Sequence, residues 1–196
     1  MNDQHRIVSS ESEELILVDR EDNEIGYASK ADAHDGDGTL HRAFSLFLFN
    51  DKGELLLQQR APDKRLWGGY WSNSCCSHPR RGESLDVATN RRLLDELNFE
   101  AELEHVYWFC YQAPFGEYGS ENELCHVYLG RTGTNVKPND SEISAIRFVS
   151  PTGLDAELDA QPDAFTPWFK QEWQELKTKY RAQLARYAAV DQAMYL

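Results

Sequence analysis

The run Ala43-Phe-Ser-Leu-Phe-Leu-Phe49 constrains the fold of this chain more than any other stretch. Successive side chains of a strand point to opposite faces, so a segment apolar at both odd and even positions needs cover on both sides. A central strand is therefore predicted here. Asn50-Asp-Lys-Gly53 supplies a turn and Leu55-Leu-Leu57 the start of a return strand. Upstream, Glu14 to Asp19 and Ile25 to Tyr27 read as two short strands, and Ala31 to Leu40, with Gly36 and Gly38, reads as a loop.

Downstream, Ser84 is a predicted N-cap with Asp86 in the first turn of a helix running to about Asn98. Its apolar face is read from Val87, Leu93, Leu94 and Leu97. Strands are predicted at Leu103 to Ala113, Leu124 to Gly130 and Ile143 to Val149. Thr166-Pro167 then opens a final helix, with Phe169, Trp173, Leu176, Tyr180, Leu184 and Tyr187 as its packing stripe.

At 196 residues the chain has the length of one domain able to bury a core. A net charge of -13 argues against general attraction to nucleic acid or to an anionic membrane. An anionic ligand would need a local basic cluster. No apolar run approaches the roughly 18 residues of a membrane span, and Met1 to Arg6 lack the pattern of a secretory leader, so a cytoplasmic location is expected. The four cysteines show no disulfide spacing and read as reduced thiols.

Within Trp71-Ser-Asn-Ser-Cys-Cys-Ser-His-Pro79, Cys76 and His78 would share a face if the segment is extended. Glu121-Asn-Glu123 repeats that spacing with carboxylates. Together with His34 and His41, these residues offer a ligand set of His34, His41, His78, Glu121 and Glu123, suited to Mn2+, Mg2+ or Zn2+. Cys76 reads either as a small buried residue or, beside a metal or an imidazolium, as a group that exchanges a proton. Glu96 and Arg92 read as an ordinary i,i+4 ion pair. Lys30, Arg60, Lys64, Arg65, Arg80, Arg81, Arg91 and Arg92 bracket the candidate site, which favours a phosphate-bearing ligand.

Lys30-Ala-Asp-Ala-His34, Leu40-His-Arg-Ala-Phe-Ser45, Ser72-Asn-Ser-Cys-Cys-Ser-His-Pro79, Glu121-Asn-Glu123 and Phe165-Thr-Pro-Trp168 carry a more specific likeness. In these motifs the chain resembles the type I isopentenyl diphosphate isomerases, a branch of the Nudix fold superfamily. The resemblance implies an α/β (α+β) fold, a mixed sheet flanked by helices in one domain, with residues 1–29 as lead-in strands and 30–196 as the Nudix-like body. It also implies a 1,3-proton shift on a small-molecule substrate, isopentenyl diphosphate.

In that family the tight divalent metal, Mn2+, Zn2+ or Mg2+, falls on His34, His41, His78, Glu121 and Glu123. Catalysis falls on Cys76, Glu123 and Tyr111. Glu96 matches a ligand of a second Mg2+ that enters with the diphosphate. Lys30, Arg60, Lys64 and Arg92 match diphosphate contacts, and Trp168 matches an aromatic face against the reacting alkene. Aligned at Glu83, the following helix departs from the Nudix hydrolase pattern, with Ser77 for its first glycine, Arg91-Arg92 for Arg-Glu, Asp95-Glu96 for Glu-Glu and Asn98 for its last glycine. Fewer carboxylates remain to gather the metals that diphosphate hydrolysis uses. Isomerisation is thereby favoured over hydrolysis of a nucleoside diphosphate derivative; a non-catalytic metal-binding or regulatory module is a second alternative.

Overall fold

In the computed structural model, residues 7–133 and 135–189 are described. Residues 1–6, which carry the leader reading, and 190–196, the end of the expected body, lie outside the described residues. The apolar run forms β3 (His41–Phe49), and its two faces do enter different cores. Phe44, Leu46 and Leu48 pack with Leu93 and Leu97 on one side; Phe47 and Phe49 pack with Phe169, Trp173 and Leu176 on the other. Helices therefore cover both faces of the sheet.

One edge of β3 pairs in parallel with β8 (Ser120–Arg131) along its whole length. Three strands share the other edge in succession. β1 (Glu14–Val18) meets it at His41, β6 (Cys75–Ser77) at Phe44 to Leu46, and β4 (Leu55–Arg60) at Phe49. The predicted return strand thus leaves β3 after one pair and runs antiparallel to β9 (Ile143–Val149) instead. β2 (Glu24–Ser29) pairs with β1, β5 (Trp71–Ser72) with β4, and β7 (Leu103–Pro114) forms a long hairpin with β8.

β6 is held less by its own length than by the side chains before it. Asn73 Nδ2 donates to Leu46 O and Cys75 O at 3.3 and 2.8 Å, while Ser74 Oγ donates to Leu56 O at 2.6 Å and accepts from Leu48 N at 2.9 Å. These buried bonds replace ladder bonds where β3 and β4 part.

Four sequence expectations need correction. Lys30–His34 is a short helix, α1, rather than loop, because the Ser29 hydroxyl accepts the Asp32 N–H at 3.1 Å and caps it. α2 (Leu85–Leu97) starts at Ser84 as expected, but Val87 and Leu94 are 57% and 46% exposed. Its inner face instead carries Ala88, Arg92, Leu93, Glu96 and Leu97, because a buried ion network takes positions that an apolar count assigns elsewhere. The C-terminal stripe is divided between α4 (Pro167–Thr178) and α5 (Arg181–Leu184), since Tyr180 leaves helical geometry. Thr166 precedes Pro167 as predicted, but its hydroxyl pairs with Ser72 Oγ at 2.8 Å instead of capping the helix. A helix with no counterpart in the sequence reading, α3 (Pro151–Ala160), follows β9.

Candidate active site

The parallel register of β3 with β8 places His41 opposite Glu123. His78 follows β6, and α1 ends at His34. Gly119, at φ 130° in the β7–β8 turn, lets that turn close onto α1: a Cβ there would lie 2.1 Å from the His34 carbonyl oxygen. Four elements and one turn thus bring the five expected ligands together. Their donor atoms all lie within 4.8 Å of one another, and all five side chains are buried or nearly so.

The histidines are oriented from behind. The Nδ1 atoms of His34 and His41 lie 2.6 and 2.7 Å from the carbonyl oxygens of Lys30 and Thr39, so each Nδ1–H donates outward and each Nε2 is turned to the centre. His34 Nε2 faces Glu121 Oε2 at 2.8 Å; burial lowers the His34 pKa, but Glu121 outweighs burial and raises it. His41 Nε2 and Glu121 Oε2 have no hydrogen-bond partner among the described residues. Burial, with His34 close by, pushes His41 down to about 4, and burial likewise holds His78 well below its usual range. Two imidazoles held neutral, a third drawn to Glu121 and the two carboxylates converge on one point, a donor set that fits a divalent cation taking the place of the His34 proton.

Glu123 links this centre to the cavity beside it. Its Oε1 lies 2.8 Å from His78 Nε2, and its Oε2 accepts from the Tyr111 hydroxyl at 2.5 Å. A cavity of about 620 Å³ is lined by Glu121, Glu123, His34, His78, Tyr111, Cys76 and Trp168 at this end. Burial pushes the Cys76 thiol up to about 12 despite Arg60, whose guanidinium lies 3.6 Å from the sulfur. Cys76 therefore holds its proton at neutral pH. Cys75 faces the other core, with its sulfur 3.5 Å from Glu96. All four cysteines are free. The Trp168 ring stands 6.1 Å from that of Tyr111, and the Arg60 guanidinium already sits 5.3 Å above it, so this face tolerates positive charge.

The cationic end of the cavity is lined by Lys30, Arg60, Lys64, Arg65 and Arg92. Arg80, Arg81 and Arg91, counted in the same basic set, do not line it. They pair instead with Glu13, Glu14 and Glu83, because β1 and the start of α2 meet them first. Glu96 also stays off the cavity wall: the Arg92 guanidinium engages it through Nε at 2.7 Å. This pair is the expected i,i+4 contact, but it is buried. Glu11, Asp63 and Asp140 also line the cavity, and so does the buried Glu142, just before β9, which is bound by Lys64 and Arg92. No spacing signal marks Glu142, because its loop reaches the site only once β9 is paired with β4.

Residues 39–169 match the NUDIX domain family. Isopentenyl-diphosphate Delta-isomerase of Burkholderia multivorans is 47% identical over 80% of this chain and 89% of its own length. Isopentenyl-diphosphate Delta-isomerase 1 of Photorhabdus laumondii is 42% identical over 84% and 94%. The chain belongs to the isopentenyl-diphosphate Delta-isomerase family, within the Nudix fold. A crystal structure of DR0079 from Deinococcus radiodurans aligns with a TM-score of 0.62 at 26% identity, over 76% of this chain and 90% of that one. The MutT protein of Methanosarcina mazei aligns at 0.58 and 17% identity, over 72% and 95%, which speaks for the fold alone.

Membership of this isomerase family accords with the departures along α2. Arg91 matches the arginine of the hydrolase pattern, whereas Arg92 stands where that pattern has glutamate; Arg91 pairs with Glu83, and Arg92 with Glu96 and Glu142. Asn98 takes φ 60° and ψ 38°, the left-handed conformation that ends the helix where the hydrolase pattern has glycine. Among the described residues no helix is long and apolar enough to cross a membrane.

Proposed function

We propose that the chain interconverts isopentenyl diphosphate and dimethylallyl diphosphate by moving one proton onto the terminal alkene carbon and removing another from the carbon next to the diphosphate-bearing one. The observation that carries this reading is the Tyr111–Glu123 hydrogen bond at 2.5 Å, sharing one cavity with the Cys76 thiol and the Trp168 ring. An alkene is a weak base, so its protonation needs a positioned acid shielded from water. Glu123 with Tyr111 forms one member of the acid–base pair and Cys76 the other, acting on opposite faces of the substrate.

Protonation creates a tertiary carbocation. Trp168 offers it an electron-rich face without a nucleophilic atom, an interaction worth about 2 kcal/mol when desolvated. Lys30, Arg60, Lys64 and Arg92 hold the diphosphate and so fix the alkene relative to Glu123 and Cys76. His34, His41, His78, Glu121 and Glu123 would hold one divalent ion, Mn2+, Zn2+ or Mg2+, which when bound supplies the positive charge that this buried carboxylate pair lacks. Glu96 is the residue we assign to a second Mg2+ that arrives with the diphosphate, a role that requires its carboxylate to turn from Arg92 towards the cavity. The enzyme works in the cytoplasm, a reading that four free thiols support.

Incubation of the Mg2+-supplemented protein with isopentenyl diphosphate tests the reading. Dimethylallyl diphosphate should accumulate with no release of phosphate. Phosphate release from a nucleoside diphosphate derivative, without alkene migration, would instead identify a hydrolase.

A further inference from the structure

Glu142 stands where an anion-binding site has least use for a carboxylate. Its side chain is buried yet lines the cavity among Lys30, Arg60, Lys64 and Arg92. Its Oε2 accepts from Arg92 Nη2 at 2.9 Å and also from Lys64 Nζ. The backbone fixes it in place: Asn139 N donates to Glu96 O at 2.8 Å, Glu142 N to Asn139 O at 2.9 Å, and Ala61 N to Glu142 O at 2.9 Å. One residue thereby ties the end of α2 to the loop that carries Lys64.

Arg92 is already paired with Glu96, and Glu142 adds its charge between Arg92 and Lys64. Burial opposes its ionisation, yet Arg92, Lys64 and Lys30 outweigh burial and hold its carboxyl down to about 2. The charge is therefore permanent at working pH. Facing the cationic end of the cavity, it repels a bare diphosphate but attracts a diphosphate that carries a divalent cation.

We propose that Glu142 is a specificity-determining residue that makes the cavity prefer the Mg2+ complex of a diphosphate over the free anion. This rests on the diphosphate reading above and deepens it. Calorimetric titration of inorganic diphosphate into the full chain, in chelator and in excess Mg2+, gives a ratio of two dissociation constants. The His/Glu centre is the same in every protein compared, so divalent binding there cancels between their ratios. Glu142→Gln keeps the shape and removes the charge; Glu142→Asp keeps the charge and shortens the arm.

The wild-type ratio should favour the Mg2+ complex by about tenfold, and Glu142→Gln should reduce it about threefold by tightening the free anion, leaving the share that Glu96 contributes. Glu142→Asp should retain the preference even if both forms bind more weakly. An unchanged ratio in Glu142→Gln overturns the proposal, as does equal loss of the preference in both variants, which would make shape rather than charge the cause. Failure of the wild-type protein to bind diphosphate under either condition would count against the diphosphate reading itself.

Discussion

At the residue scale, what the sequence made legible was chemistry that side-chain type alone carries. Three histidines and two glutamates can be paired by spacing, and the structure gathers them. Glu142 was not legible because its importance arises from a loop docking on α2, not from a motif. Glu172 on α4 is a similar case. It is wholly buried, with Oε1 3.5 Å from the Cys125 sulfur, and burial pushes its carboxyl up to about 7. The folded chain thus holds a proton there that the unfolded chain releases above about pH 4.3. Folding stability is lost as pH rises from that value to about 7, by on the order of 3 kcal/mol. Glu172→Gln should raise the melting temperature at pH 8 and leave it nearly unchanged at pH 4.5. An equal shift at both values in thermal melts would show that ionisation is not the cause. For Trp168, replacement by Leu should lower kcat about 30-fold with little change in KM, the kinetic equivalent of about 2 kcal/mol of cation stabilisation. A KM effect alone would assign the ring to binding.

At the element scale, β3 was readable because a doubly apolar run has few ways to be buried. The inner face of α2 was not, because Arg92 and Glu96 are buried there through pairing with each other and with Glu142. Hydropathy cannot see that compensation. Asn73-Ser74, singled out as part of a signature, proves to be structural: its side chains bond β6 between β3 and β4. Asn73→Ala should cost about 1–3 kcal/mol in denaturant unfolding by stranding buried partners, and a cost near zero would contradict the stitching role. At the α2 terminus, Asn98→Gly should be neutral or stabilising, whereas Asn98→Ala should cost about 1 kcal/mol because of its left-handed backbone.

At the scale of the whole molecule, the sheet sets a division of labour. Its register helps bring the proposed metal ligands to one point, α4 supplies the aromatic wall, and the loops beside β4 and β9 bring positive charge into an acidic chain. A divalent ion that binds only the folded arrangement should stabilise it by about 2.7 kcal/mol at a hundred times its dissociation constant. Thermal melts with Mn2+ added to chelated protein should show this stabilisation, and His41→Ala should remove most of it. The central claim is a proton exchange between Glu123 and Cys76 through the substrate. It is tested most directly by deuterium incorporation into dimethylallyl diphosphate in heavy water. The wild-type protein should incorporate deuterium, and correctly folded Cys76→Ala and Glu123→Gln should each abolish it; near-normal incorporation by either variant would contradict the assignment.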